Sequence, residues 1–149
     1  MLAVQCNRYR YVTLVILPHL CTLLCIYSNL DISVRLRGGT RDYNGRVEVL
    51  YNGTWGTICD NNFDIQDANV ICKMLGYKGA WSTECCGFYG LGSGLQIWMD
   101  NVDCSGNESS LAQCAHGGWG GHTDVCSHIN DVGVYCIPNP VVTPGKLNL

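Results

Sequence analysis

The chain has 149 residues, of which 11 are cysteine, 18 are glycine and only 14% are charged, whereas an ordinary soluble domain carries about 25% charge. That length holds one domain with a tail and excludes a multidomain enzyme with separate cofactor and substrate halves. A formal net charge of -3 lacks the basic excess of a nucleic-acid binder, so no nucleic-acid specificity is expected.

Residues 1–28 set the compartment. Met1 to Arg10 carries Arg8 and Arg10 without an acid, and Tyr11 to Tyr27 is a 17-residue apolar run interrupted by Pro18 and followed by the small Ser28. This order of basic, apolar and small residues reads as a secretory signal peptide. The run also reaches the lower limit for crossing a bilayer, so a retained signal anchor with its arginines in the cytosol is the alternative, giving a type II membrane protein. Both readings place the rest of the chain outside the cell, secreted or anchored. Removal of residues 1–28 takes away Cys6, Cys21 and Cys25 and shifts the net charge from -3 to -5. Eight cysteines remain, and an even number in an oxidising compartment reads as a disulfide framework.

Ser33 to Arg37 alternates polar and apolar residues and stops at Gly38-Gly39. Arg46 to Tyr51 alternates again, with Val47 and Val49 on one face and Arg46 and Glu48 on the other. Asn52-Gly53 then predicts a tight hairpin turn into a returning strand, Thr54 to Cys59. Asp64 to Leu75 is the clearest helix: Asp64 caps it, Asp67 lies in the first turn, Lys73 in the last, and Gly76 follows the end. Its apolar stripe is Ile65, Ala68, Ile71, Cys72 and Leu75, which points Cys72 into the core. The glycine-rich stretch Gly79 to Gly94 is expected to be loop. Ile97 to Met99 and Val132 to Cys136 read as short strands, and a short helix capped by Ser109 or Ser110 runs to Gln113. One module therefore fills residues 33–137, and residues 138–149 form a proline-containing tail or linker.

The segments VRLRGG, GRVEVLYNGTWGTICDNNFD, DANVICKMLGY, IWMDNVDCSGNESSLAQC and GVYC, in this order, resemble the scavenger receptor cysteine-rich domain. The resemblance implies an α+β, disulfide-rich fold in which a curved antiparallel sheet cradles one main helix plus a short helix. It also implies the pairs Cys59 with Cys126, Cys72 with Cys136, and Cys104 with Cys114. Two of these close loops of more than 60 residues, each worth up to about 4 kcal/mol in the chain-entropy view. Tyr43 and Tyr77 occupy the positions of the extra cysteine pair that separates the family's two subclasses, so the chain resembles the six-cysteine group A. Cys85 and Cys86 are left over. A vicinal disulfide, a local bridge that rearranges the scheme, an intermolecular disulfide and free thiols are the open readings, the first requiring an unusually tight ring.

Two surfaces are candidates for binding. Arg35, Arg37, Arg41 and Arg46 fall within twelve residues, and Arg35 and Arg37 share a strand face. Guanidinium forks suit sulfate, phosphate or sialylated groups, although pairing with Asp42 or Glu48 is an equal alternative. The resemblance also implies that the stretch Gly45 to Trp55 takes part in binding microbes in some members. It implies a Ca²⁺ site at the positions of Asp60, Asn61 and Asn130, with Asp131 alongside, and a second one using Asp100 where Val125 replaces a ligand. Asparagines in place of carboxylates weaken such a site, and Asp103 and Asp124 are nearby substitutes. His116, His122 and His128 lie among Cys114 and Cys126 at spacings that do not match a zinc site. No nucleophile stands beside an identifiable base and oxyanion donor, so no catalytic residue and no enzyme activity is expected. Asn52 and Asn107 each open an Asn-x-Ser/Thr sequon for N-glycosylation.

These observations point to a non-enzymatic extracellular recognition module for polyanionic, glycan, microbial or protein ligands, with Ca²⁺ as the one cofactor under consideration. The alternatives are an accessory domain or fragment of a larger mosaic protein of protease or oxidase type, and a structural extracellular protein linked into oligomers through Cys85 or Cys86.

Overall fold

The structure is a computed structural model and describes residues 32–122 and 125–140. The signal or anchor segment 1–28, Asp124, and residues 141–149 of the tail lie outside the described residues.

Strands β1 (Ser33–Arg37), β2 (Asn44–Tyr51), β3 (Thr54–Ile58), β4 (Ala80–Glu84), β5 (Gln96–Met99) and β6 (Gly133–Cys136) form one sheet in the order β4-β6-β2-β3-β5, with β1 added to β2. All pairings are antiparallel except β3 with β5. The sheet packs against helix α1 (Ile65–Met74), and single 3₁₀ turns stand at Leu111–Gln113 and His128–Asn130. Asn52 and Gly53 both take positive φ, at 49° and 77°, the backbone that a two-residue hairpin turn demands and that Asn-Gly adopts at least cost. Gly45 lets β1 approach, since a Cβ there would stand 2.8 Å from the Arg37 backbone nitrogen and oxygen.

Helix α1 begins with a reciprocal capping box. The Asp64 side chain accepts hydrogen bonds from the backbone N–H groups of Gln66 and Asp67, at 2.7 and 3.3 Å. The Asp67 side chain in turn accepts from Asp64 N at 2.7 Å, so two orphan donor sets are satisfied together. Asp67 is buried and its other oxygen accepts from Cys104 N at 2.8 Å. This residue therefore ties the helix start to the loop carrying the Cys104–Cys114 bridge. Burial pushes its carboxyl up to about 6, against the lowering pull of the two backbone N–H groups.

The core joins both layers: Val47 and Val49 of β2, Ile58 of β3, Ala68, Val70, Ile71 and Cys72 of α1, Met99 of β5 and Val134 of β6. Disulfides lock the same layers. Cys59, after β3, is bonded to Cys126, Cys72 of α1 to Cys136 of β6, and Cys104 to Cys114, with Cα separations of 6.1, 5.5 and 4.7 Å.

Several local expectations are corrected. The stretch 79–94 is not all loop: β4 occupies Ala80–Glu84 and pairs with β6, Thr83 opposite Val134. Its strand signal is short and hidden by the glycines that follow it, and its ladder comes from a strand distant in sequence. Ile65, counted in the apolar stripe, is 39% exposed at the first helical position. The short helix near Ser109 is one 3₁₀ turn, with Ser110 as its cap. Glu48, opposite Val47 and Val49 by alternation, is also buried, so neither face of β2 is solvated at its centre.

Candidate functional site

The four arginines divide into an inner and an outer pair. Antiparallel register places Arg35 of β1 across from Glu48 of β2, and Arg37 across from Arg46. The Glu48 carboxylate stands between two guanidinium groups: Arg35 Nε donates to Oε2 at 2.8 Å, and Arg46 Nη2 donates to Oε1 at 2.6 Å. Burial alone would raise the Glu48 carboxyl, but the hydrogen bonds and charges of Arg46 and Arg35 outweigh it and hold the group below its ordinary value.

Arg46, a ligand-binding candidate by sequence, is turned inward. Its side chain is only 13% exposed, and Nη1 donates to the carbonyls of Gly90 and Tyr89 at 2.8 and 3.5 Å. It thus holds the loop after β4 onto the sheet. Arg35 is half-buried, with its guanidinium carbon 3.8 Å from the Trp55 ring centroid, a cation–π arrangement on the strand that returns from the hairpin. Pairing with Glu48 is one of the alternatives the sequence offers, and the structure adopts it for Arg35 and Arg46; Trp55 is the partner the sequence does not name. The alternation of β1 and β2 held the signal for Glu48, and Trp55 needed the hairpin register as well.

Arg37 and Arg41 form the outer pair. Both are exposed, and neither guanidinium joins an ion pair among the described residues. They line, with Gly38, Thr40 and Asp42, an open surface cavity of about 250 Å³ on the β1–β2 loop. Two uncommitted guanidinium groups beside a glycine-rich backbone are suited to an anionic group.

The candidate calcium residues are only partly gathered. Asn130 Nδ2 donates to Asp60 Oδ1 at 3.4 Å, while Asn130 Oδ1 accepts from Ser127 N at 3.2 Å. Asn61 directs its Nδ2 at Cys126 Sγ, 3.1 Å away. Asp60 is the one carboxylate of this trio, whereas Ca²⁺ takes six to eight oxygen ligands. Asp100 is buried beside the Cys59–Cys126 bridge and accepts from Asn101 N at 2.8 Å. Asp131 is engaged by Gly92 N at 2.7 Å and His128 Nδ1 at 3.1 Å, and Val125 is exposed and carries no ligand atom. His116 accepts from Gly118 N at 3.1 Å and is kept less basic by burial. Among the described residues no histidine joins a cluster able to hold a metal. Asn52 and Asn107 are both exposed, the first at the hairpin tip and the second before the Leu111–Gln113 turn.

Cys85 and Cys86 are bonded to each other and exposed at the end of β4. Among the readings left open by the sequence, the structure adopts the vicinal disulfide.

A curled sheet holding one helix under three buried bridges defines a disulfide-framed module of extracellular type. The profile of the scavenger receptor cysteine-rich domain matches residues 37–137, and the chain belongs to that family. A scavenger receptor cysteine-rich domain superfamily protein of Patiria pectinifera is 47% identical over 124 residues, covering 78% of this chain and 10% of the relative. Lysyl oxidase homolog 2 of Gallus gallus is 55% identical over 106 residues, covering 70% of this chain and 13% of the relative. The chain therefore spans about a tenth of the length of these curated relatives. Among solved structures, the dimeric form of the SRCR domain of mouse MARCO is 49% identical with a TM-score of 0.58, covering 70% of this chain and 94% of that one. The third SRCR domain of murine neurotrypsin is 43% identical with a TM-score of 0.61, covering 70% and 95%. Among the described residues no helix is long and apolar enough to cross a membrane.

Proposed function

We propose that this protein is an extracellular recognition module for polyanionic ligands, read chiefly by Arg37 and Arg41 with Arg35 at the inner edge of the same strand face. The observation that carries the reading is the division of the cluster: Glu48 engages both inner guanidinium groups, while the outer two, without an ion pair among the described residues, open onto the β1–β2 cavity. Sulfate and carboxylate groups of a glycan match this surface in charge and in hydrogen-bond geometry. Arg46 serves as the support beneath it. Secretion or anchoring through residues 1–28, the module boundaries 33–137, the group A assignment and glycans on Asn52 and Asn107 complete the proposal.

The test is binding of a sulfated polysaccharide at fixed, low salt. Arg37→Ala with Arg41→Ala is expected to weaken binding about tenfold, two exposed contacts of about 0.7 kcal/mol each. Affinity within twofold of the parent for the double variant overturns the reading.

A second reading is favoured by the comparison of lengths. The curated relatives carry a module like this one in roughly a tenth of their chains, and neurotrypsin has at least three. The same surface then acts as an accessory recognition unit of a mosaic protein rather than as a receptor by itself. Chemistry of such a protein would reside outside this module.

A further inference from the structure

The four disulfides differ in access. All six framework cysteines are buried, whereas Cys85 and Cys86 are both exposed. Their loop is fastened by backbone bonds independent of the sulfurs: Gly87 N donates to Asp131 O at 3.2 Å, and Phe88 N donates to Cys85 O at 3.1 Å. Asp60 stands against the pair. Its Oδ2 accepts from Cys86 N at 3.1 Å, and one ligand atom each from Asp60, Cys85 and Cys86 lies within 4.8 Å of the others.

We propose that Cys85, Cys86 and Asp60 form a redox-gated site for a thiophilic divalent cation of the zinc and cadmium class. The gate is a two-electron exchange with a small-molecule thiol. One thiolate attacks an exposed sulfur, the Cys85–Cys86 bond breaks and its electron pair leaves on the other sulfur. A second thiolate then displaces the protein from the mixed disulfide, and the small molecule departs as its own disulfide. Two protons complete the protein dithiol. Exchange needs access for the attacking thiolate, so the exposed pair opens while the buried framework stays closed.

Once open, the pair offers two thiolates from adjacent residues, with a carboxylate beside them. Cation binding expels the two thiol protons, and the donor charge of -3 is offset by +2. Sulfur and carboxylate oxygen are the ligands of d¹⁰ divalent ions, and a fourth position remains for water. Calcium and magnesium, which require oxygen shells, are rejected. In the bonded state neither sulfur is a thiolate and the site does not exist. This proposal is independent of the polyanion surface, which lies on β1 and its loop.

The experiment starts from the full, unreduced chain under native conditions. Limited dithiothreitol treatment is followed by free-thiol counting and then by titration with Cd²⁺, read through thiolate-to-cadmium charge-transfer absorbance. Cys6, Cys21 and Cys25 lie outside the four bridges, so the expected result is a plateau at two thiols above the starting count and one equivalent of Cd²⁺ bound beyond any taken up before reduction. Asp60→Asn is expected to weaken Cd²⁺ binding tenfold or more. Cys85→Ser with Cys86→Ser abolishes the added band, and alkylating the two thiols of the reduced parent provides the same loss without a substitution. Thiols rising past two above the starting count without a plateau, no added band after reduction, or unchanged affinity in the Asp60→Asn protein each overturn the proposal. A disulfide-linked dimer that dissolves as the thiols emerge also overturns it, by showing that the pair joins two chains.

Discussion

The inner and outer arginines of the β1–β2 region share a residue type and a neighbourhood but not a role. Arg46 and Arg35 share one buried carboxylate, and Arg46 also fastens the Tyr89–Gly90 backbone. Among the described residues, Arg37 and Arg41, a few residues away, meet no carboxylate within ion-pair distance. The position of a single buried acid thus decides which guanidinium groups belong to the protein and which are left for a ligand.

Removing that acid is the strongest way to break the comparison. Glu48→Ala leaves Arg46, largely buried, without its counter-charge, and breaking a buried pair by deleting one partner costs about 3–5 kcal/mol. Urea unfolding of the intact, oxidised protein is expected to show a loss of that order. The same measurement on Arg37→Ala with Arg41→Ala should move stability by less than about 0.5 kcal/mol. A comparable loss in both variants would erase the distinction between inner and outer arginines.

Acid titration sharpens the same point. The folded-state value of Glu48 is lowered, so its contribution is present above the ordinary glutamate value and is lost as pH falls through the depressed one. Asp67 has the opposite sign. Its carboxyl is raised from 3.8 to about 6, so the folded state holds its proton more tightly, and stability falls as pH rises from 3.8 to 6. Asp67→Asn is expected to flatten that decline, and Glu48→Gln to flatten the loss at lower pH. Equilibrium unfolding at a series of pH values checks both, and an unaltered profile in either variant refutes the corresponding assignment.

How much of this was legible in the sequence depended on the range of the interaction. The hairpin at Asn52-Gly53 and the cap at Asp64 are local signals, and the structure follows them. Strand β4 was missed because its hydrogen bonds come from β6, about fifty residues later. The arginines were visible as a cluster, but alternation places Arg35, Arg46 and Glu48 on related faces without saying which is buried. That depends on the loop at Tyr89–Gly90 closing over Arg46, a long-range contact with no sequence period. The amides of Asn61 and Asn130 carried the same difficulty: their positions suggested cation ligands, and sequence alone does not show that Asn61 bonds to Cys126 Sγ while Asn130 bonds to Ser127 and to Asp60.

The smallest expected effect tests whether Arg35 belongs with the inner or the outer pair. Its side chain is 31% exposed, and it is held by Glu48 on one side and by the Trp55 ring on the other. An exposed cation–π contact contributes about 0.5–1 kcal/mol, less than the buried carboxylate, so Trp55→Leu should lower stability only modestly by urea unfolding. If Trp55 mainly orients the guanidinium toward a ligand, the same substitution weakens binding of sulfated polysaccharide by a few-fold, beyond what the stability change produces in a still fully folded protein. If Arg35 is structural, stability falls by the same modest amount and the affinity of the folded protein does not move. Adding Arg35→Ala to Trp55→Leu closes a double-mutant cycle on both readouts, and a coupling seen in affinity but not in unfolding assigns Arg35 to the ligand side of the divide.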